Sequence, residues 1–410
     1  MAGKTFLYVG NWSFQARPAK GKGISVFSYA PDTGELELIE TVCPEVAAGQ
    51  LWLDAGRGIL YSNDECGERR GEVGGGGYLL AFSIDPETGR LTLMNQKDSL
   101  SPEPSYLCLD KSGKYLVTCH CADPWHVTKV VRHPDGTFGN EVLFDDTALV
   151  LFRVNGDGSL GEVCDAALTP GTGGKGPHSQ VNVDPVSGHI QLVQVISRLH
   201  AVVASPSGEL LAVCDKGMDR VYTYRIDREA GKLVYLSCWE APEVACFPRY
   251  AAFHPAKPVL YVNNENYAQL NSFHYDEETG KLERFHKVYL LPEDPGMVEG
   301  KPVGAQDILA HPNGKVLYCT LCGLNLIVVC RLDEEGRPTP CQLVQSRGNL
   351  PRGIALSPDG RFLISGNMVS GDITTFAADE DGLLTDTGRT FPAVSPSALR
   401  FYTPDAGAEG

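Results

Sequence analysis

The sequence predicts an all-β fold, a seven-bladed β-propeller in a single domain spanning residues 1–410, and three observations lead there. A strand-turn-strand unit recurs at intervals of roughly 50 residues, a period that signals a repeat architecture and overrides the two or three domains that length alone would suggest. The strands are rich in Val, Ile, Tyr and Phe and are punctuated by Gly, Asp and Pro, with almost no helical periodicity. One unit is divided between the two ends of the chain, which would close the ring.

The inner hairpins are SYLCLDKSGKYLVTC, HAVVASPSGELLAVC, RYAAFHPAKPVLYVN, QDILAHPNGKVLYCT and RGIALSPDGRFLISG. In each, a short apolar strand, a tight turn and a second apolar strand are legible. A third, alternating strand with its own turn follows, as in YLLAFSIDPETGRL, VYTYRIDREAGKL and LNSFHYDEETGKL. Six units begin near Gly49, Ser105, His200, Arg249, Gln306 and Arg352. The seventh takes its first strand from SALRFYTPD, near Ser397, and the others from FLYVGNW and GISVFSYAPDTGEL. Two insertions interrupt the repeat, at about 121–146 and 172–196, and loops of that length in a compact domain suit a cover over the channel mouth. The second contains PHSQVNVDPVSG, which imitates an inner strand and makes His178 a competitor of His200.

Composition narrows the function classes. Acidic residues (51) outnumber basic ones (35), for a net charge of −16, and no Lys/Arg run interrupts that bias, so nucleic acid and anionic membrane are poor partners. The strand-like FLYV starts within five residues of Met1, which leaves no room for a signal-peptide core, and the 13 cysteines lie scattered through apolar stretches. Both features predict a cytoplasmic protein with free thiols. Neither a Trp-Asp ending nor a kelch Gly-Gly core falls in register, which weighs against an interaction platform of those types.

Two rings of residues follow from the repeat. Counted from the turn column (Gly113, Gly208, Gly314, Gly360), the position eight residues earlier holds Gly49, Ser105, His200, Arg249, Gln306, Arg352 and Ser397. Eight residues later stand Glu65, Cys121, Lys216, Glu265, Cys322 and Met368. The two positions meet at the open end of each hairpin, so both rings gather at one end of the channel. Charged residues converging there are costly unless paired with one another or used on a ligand.

These hairpins, with LHAVVASPSGELLAVCDKGMDRVYTYRID, FPRYAAFHPAKPVLYVNNE and LPRGIALSPDGRFLISGN, resemble the lactonase family of seven-bladed propellers over roughly residues 5–404. That family includes bacterial 6-phosphogluconolactonase and the fungal 3-carboxy-cis,cis-muconate cyclase. The resemblance implies a catalytic set of His200, Arg249, Glu265 and Arg352. Two departures stand out: the family's second catalytic arginine falls on Cys322, and the residue after the Pro-Arg arginine, often His, is Tyr250.

The expected activity is hydrolysis of a sugar-acid or related small lactone, with no metal or organic cofactor. His200 would act as base, Glu265 would orient it or relay a proton, and Arg249 and Arg352 would hold the developing oxyanion. Ser105, Lys216, Gln306, Asp307, Glu65, Ser397 and Cys322 would contact substrate. The same groups run in reverse would make a lactonising cycloisomerase, and loss of the arginine at Cys322 leaves room for a silent small-ligand-binding propeller. That loss also removes a fixed cation, which favours an unphosphorylated lactone or a monocarboxylate. No Gly-x-Ser-x-Gly elbow is present, so direct attack by water is expected. Cys119, His120, Cys121, His126, His133 and Cys319 to Cys322 offer metal-binding atoms without metal-site spacing.

Overall fold

The computed structural model describes residues 4–12, 22–66, 68–69, 72–73, 76–121, 126–144, 146–169, 181–183, 190–192, 196–243, 245–292, 297–298 and 301–404. Among these residues, seven four-stranded antiparallel sheets are arranged as blades, each with its first strand innermost. The inner strands are Leu51–Asp54, Pro104–Leu109, Leu199–Ala204, Pro248–Phe253, Ala305–Ala310, Pro351–Leu356 and Pro396–Tyr402, for the first to the seventh blade. Each packs against the next, and the seventh packs against the first, so the ring is closed.

The closing blade is the split unit. Pro396–Tyr402 pairs antiparallel with Thr5–Asn11, which pairs with Ile24–Ala30 and then with Glu35–Val42. Radial repetition of the blades leaves only short, protected sheet edges. The Ser397 hydroxyl reinforces it by donating to the carbonyls of Gly10 (2.9 Å) and Ala48 (3.0 Å), so it ties the last blade to the chain entering the first.

A second device repeats at the outer rim. Tyr8, Tyr61, Tyr261 and Tyr318 are fully buried in the second strands of their blades. Their hydroxyls donate to the carbonyls of Gly89, Gly158, Gly336 and Gly382, in the turn between the third and fourth strands of the following blade. A buried phenol needs such a partner, and here the partner is always the neighbouring blade.

Among the described residues, four short hairpins interrupt the blades. His126–Arg132 with Phe138–Phe144 and Val181–Val183 with Ile190–Leu192 fall in the two expected insertions. Glu68–Arg69 with Glu72–Val73 and Met297–Val298 with Lys301–Pro302 were not anticipated. By topology all four leave the blades at the end of the channel where the inner hairpins open. Among the described residues, no helix is long and apolar enough to cross a membrane.

Candidate active site

Six of the seven inner hairpins break register near their open ends, and the breaks shape the site. In the second, third, sixth and closing blades a β-bulge falls on Ser105, His200, Arg352 and Ser397. In the fourth and fifth blades the irregularity spans Arg249 with Tyr250 and Gln306 with Asp307. A bulge re-aims a side chain that regular alternation would send into the sheet. Side chains from the second strand hold the released amides: Asn63 Oδ1 accepts from Gln50 N (2.7 Å), Asn263 Oδ1 from Tyr250 N (2.9 Å) and Thr320 Oγ1 from Asp307 N (2.9 Å).

Beyond the bulge one further backbone bond sets the second ring. The N–H of Glu65, Cys121, Lys216, Glu265, Cys322 and Met368 donates to the carbonyl two residues before the bulge column, at 2.8 to 2.9 Å. The closing blade supplies a seventh member missed in the sequence: Trp12 N donates to Ser395 O at 3.0 Å. The column crosses the chain termini there, and aligning FLYVGNW with YLVTCHC would have found it. Three of the carbonyl-bearing residues, Glu103, Phe247 and Leu350, are held at φ of 49°, 55° and 62°, a left-handed conformation rare for bulky side chains. Strain of this kind persists where the surroundings impose it, commonly at binding sites.

On one side of the mouth stand His200, Arg249, Glu265 and Lys216. Arg249 Nη1 lies 2.8 Å from Glu265 Oε2, and Lys216 Nζ contacts the same oxygen. Burial pushes the Glu265 carboxyl up, but Arg249 and Lys216 outweigh it and hold the group well below the usual carboxylate range. His200 is 4% exposed and stands edge-on to Tyr250 with ring centroids 5.1 Å apart, while Tyr250 also meets Tyr106 at 5.5 Å. Burial, and then the charges of Arg249, Lys216, Arg352 and Arg198, push the imidazole well below 6.5, so it is neutral at neutral pH.

On the other side are Arg352, Glu65 and Trp12. The Arg352 guanidinium sits 4.1 Å over the Trp12 ring, a cation–π arrangement. Its Nη2 is 3.7 Å from Glu65 Oε1, too long for a hydrogen bond. Trp12 Nε1 donates to the Glu65 carbonyl at 3.0 Å. Gly49 makes room for the carboxyl, because a Cβ there would collide with Glu65 Oε2. Burial dominates the titration of Glu65 and raises it from 4.5 to about 8 against the pull of Arg352, with Glu103 adding to the rise.

The remaining expected residues occupy the mouth with different attachments. Ser105 Oγ donates to Leu199 O at 2.8 Å, and Asp307 accepts from the amides of Ile308 (2.8 Å) and Ile354 (2.9 Å), so both join adjacent blades, as Ser397 does. Gln306 Nε2 donates to Cys322 Sγ at 3.4 Å, and burial pushes that thiol up. Arg400, which the sequence reading passed over, sits deeper on the closing inner strand with Nη2 3.4 Å from Gln50 Oε1. His178 lies outside the described residues. His120 is fully buried with Nδ1 on Ala148 O (2.8 Å), and among the described residues no three His, Cys, Asp or Glu side chains gather as metal ligands would. A groove of about 470 Å³ on the outer flank, lined by Tyr29, Glu37 and Arg389 among others, lies away from these residues.

With this geometry in hand, comparison with known proteins gives a consistent answer. The family described as "Lactonase, 7-bladed beta-propeller" matches residues 6–401. The chain belongs to that lactonase family. It is 25% identical to a 6-phosphogluconolactonase of Bacillus subtilis (strain 168) over 403 residues, covering 96% of this chain and 97% of the relative. It is 24% identical to a 6-phosphogluconolactonase of Formosa agariphila, covering 93% and 96%. The same fold is found in the Pseudomonas aeruginosa periplasmic gluconolactonase PpgL, with a TM-score of 0.76, 24% identity and coverage of 97% and 99%. A Lactobacillus plantarum protein matches with a TM-score of 0.76 and 21% identity. The chain is accordingly an enzyme of the lactonase class, a hydrolase of lactone esters resembling 6-phosphogluconolactonase.

Proposed function

We propose that the ring at the channel mouth hydrolyses a sugar-acid lactone or a related small lactone, with His200 as the base that activates water. One observation carries this reading. Among the described residues, four buried polar atoms of the two rings, His200 Nδ1, Arg249 Nε, Arg352 Nε and Glu65 Oε2, have neither a hydrogen-bond nor an ion-pair partner. Buried polar atoms left unsatisfied cost about 1 to 3 kcal/mol each, so a group of them at one end of the channel suits a ligand that completes their bonds.

The chemistry follows from the charges. A neutral imidazole is free to accept a proton from water as the water oxygen bonds to the lactone carbonyl carbon. The carbonyl oxygen then becomes an oxyanion, for which the guanidinium groups of Arg249 and Arg352 are prearranged donors in a site of low dielectric. Glu265 stays ionised and fixes Arg249 and Lys216, so that two buried cations do not repel the imidazolium formed in the transition state without compensation. Tyr250, in the place where relatives of this kind often carry His, packs against His200 and fixes its ring plane. The hairpins at the mouth serve as its cover.

Two finer points belong to the same proposal. Arg249 and Lys216 are both committed to Glu265, and Cys322 adds no charge, so a phosphate dianion would find few cations to spare. We therefore favour an unphosphorylated substrate. The 13 free cysteines, seven of them buried, favour a reducing, cytoplasmic location. The test is acid release by the purified protein from aldono-1,5-lactones, 6-phosphogluconolactone and muconolactones, with spontaneous hydrolysis subtracted. Turnover of an aldonolactone is expected. Turnover of muconolactones alone would overturn the assignment.

A further inference from the structure

Two glutamate carboxyls of the second ring share the channel mouth, and only one is tied down. Glu265 contacts two cations through one oxygen. Glu65, 5% exposed, has one oxygen without a partner among the described residues and the other 3.7 Å from Arg352. Its position is built with care: its backbone N–H is bound by Ala47 O (2.8 Å), its carbonyl by the Trp12 indole, and its carboxyl occupies space that any side chain at residue 49 would fill.

We propose that Glu65 is the proton donor to the departing ring oxygen, a catalytic role beyond the substrate contact expected of its place in the ring. The proposal rests on the reading of the mouth as a lactone-hydrolysing site. After water adds to the carbonyl carbon and His200 takes its proton, the tetrahedral intermediate collapses by breaking the bond between that carbon and the ring oxygen. The Glu65 O–H gives its proton to this oxygen, so a neutral alcohol leaves rather than an alkoxide. The products are the hydroxy acid, a Glu65 carboxylate and an imidazolium at His200. Transfer of one proton from His200 to Glu65 through water restores the enzyme. No other reactant is required.

The surroundings keep this carboxyl protonated when the enzyme works. The charged and titratable groups facing it are Arg352 from the sixth blade, Arg249 and Tyr250 from the fourth, Lys216 from the third, and Glu103, Cys119 and Cys121 from the second. The cations favour ionisation, yet burial and Glu103 outweigh them and place the group at about 8. An acid that titrates just above working pH is suited to donate a proton and recover it.

The experiment compares the parent with Glu65→Gln, which keeps shape and neutrality but carries no transferable proton. With an aldono-1,5-lactone, kcat/KM of the parent should fall above about pH 8, and Glu65→Gln should lose about a hundredfold at pH 7 and lack that basic limb. With dihydrocoumarin, whose leaving phenol has a pKa of about 10 and needs little help, the loss should be under about tenfold. Circular dichroism and a thermal melt would establish that the variant is folded. A basic limb retained in Glu65→Gln, or equal losses on the two lactones, would overturn the role of Glu65. Full activity in His200→Ala would instead overturn the site reading on which it rests.

Discussion

Glu265 and Glu65 are the same residue type at the same position of the repeat, eight residues after the turn column, and their environments drive them in opposite directions. Both are extracted from water, a cost that by itself favours the neutral acid. Glu265 meets Arg249 and Lys216 at contact distance and is ionised, whereas Glu65 meets Arg352 only at 3.7 Å and titrates at about 8. The Coulomb gain falls with distance while the desolvation cost does not, and Glu265 has two cations in contact where Glu65 has one at longer range with Glu103 opposing it, so the balance tips in opposite directions. The propeller thus offers seven equivalent positions, and local partners set the charge states of the two glutamates placed there. One carboxyl becomes a fixed anion and the other a neutral acid, with a neutral imidazole in the adjoining ring.

The largest effect should come from breaking the tied side. Glu265→Gln leaves Arg249 and Lys216 buried without an anion, and urea denaturation should show a loss of about 3 kcal/mol. A loss below about 1 kcal/mol would mean that the cations are solvated and that the two carboxyls differ less than their contacts indicate.

The next effect adds a cation to that side. The parent should hydrolyse an unphosphorylated aldonolactone with kcat/KM about tenfold above that of its 6-phosphorylated counterpart, and Cys322→Arg should narrow or reverse the ratio, since one charge-assisted contact is worth about 1.5 to 3 kcal/mol. A parent that strongly prefers the phosphorylated lactone would contradict the count of available cations.

The smallest effect concerns the loose side. Glu65→Gln should change stability at pH 5 by less than about 1 kcal/mol, because one neutral group replaces another. The pH dependence is more telling. Native Glu65 titrates at about 8 rather than 4.5, so between those values the native state binds more protons than the unfolded state, and its contribution to stability falls as pH rises through that window. Glu65→Gln lacks this fall and should gain on the parent between pH 5 and 8.5. Parallel stability curves would show that Glu65 is ionised in the native protein. For Glu265 the sign is reversed: its contribution is present above pH 4.5 and is lost as the solution is acidified below that value.

Much of this arrangement was legible in the sequence, for a physical reason. Turn glycines and alternating strands recur because each blade solves the same packing problem, so the blade count, the split closure through Ser397 and both rings could be read from spacing. The charge states could not. Nothing in the spacing separates Glu65 from Glu265, since what separates them is how closely Arg352 approaches the one and Arg249 and Lys216 the other. The bulges at Ser105, His200 and Arg352 were also invisible, because a bulge is one residue out of phase in a strand whose composition is unchanged. The hydroxyls of Ser105 and Ser397 donate to backbone carbonyls of the adjoining blade segments, a use that residue type alone does not reveal. Trp12 escaped notice because its column is cut by the chain ends.

The central claim is that the ring around His200 hydrolyses lactones with a neutral imidazole as base, and its most direct test is the pH profile of kcat/KM on an aldono-1,5-lactone for the parent and for His200→Ala. The variant should fold, which circular dichroism checks, and should lose at least about a hundredfold in kcat/KM. In the parent, the acid limb should lie well below pH 6.5, where burial and the surrounding cations place the imidazole. Activity undiminished in His200→Ala, or a parent whose acid limb sits at pH 6.5 or above, would contradict the account.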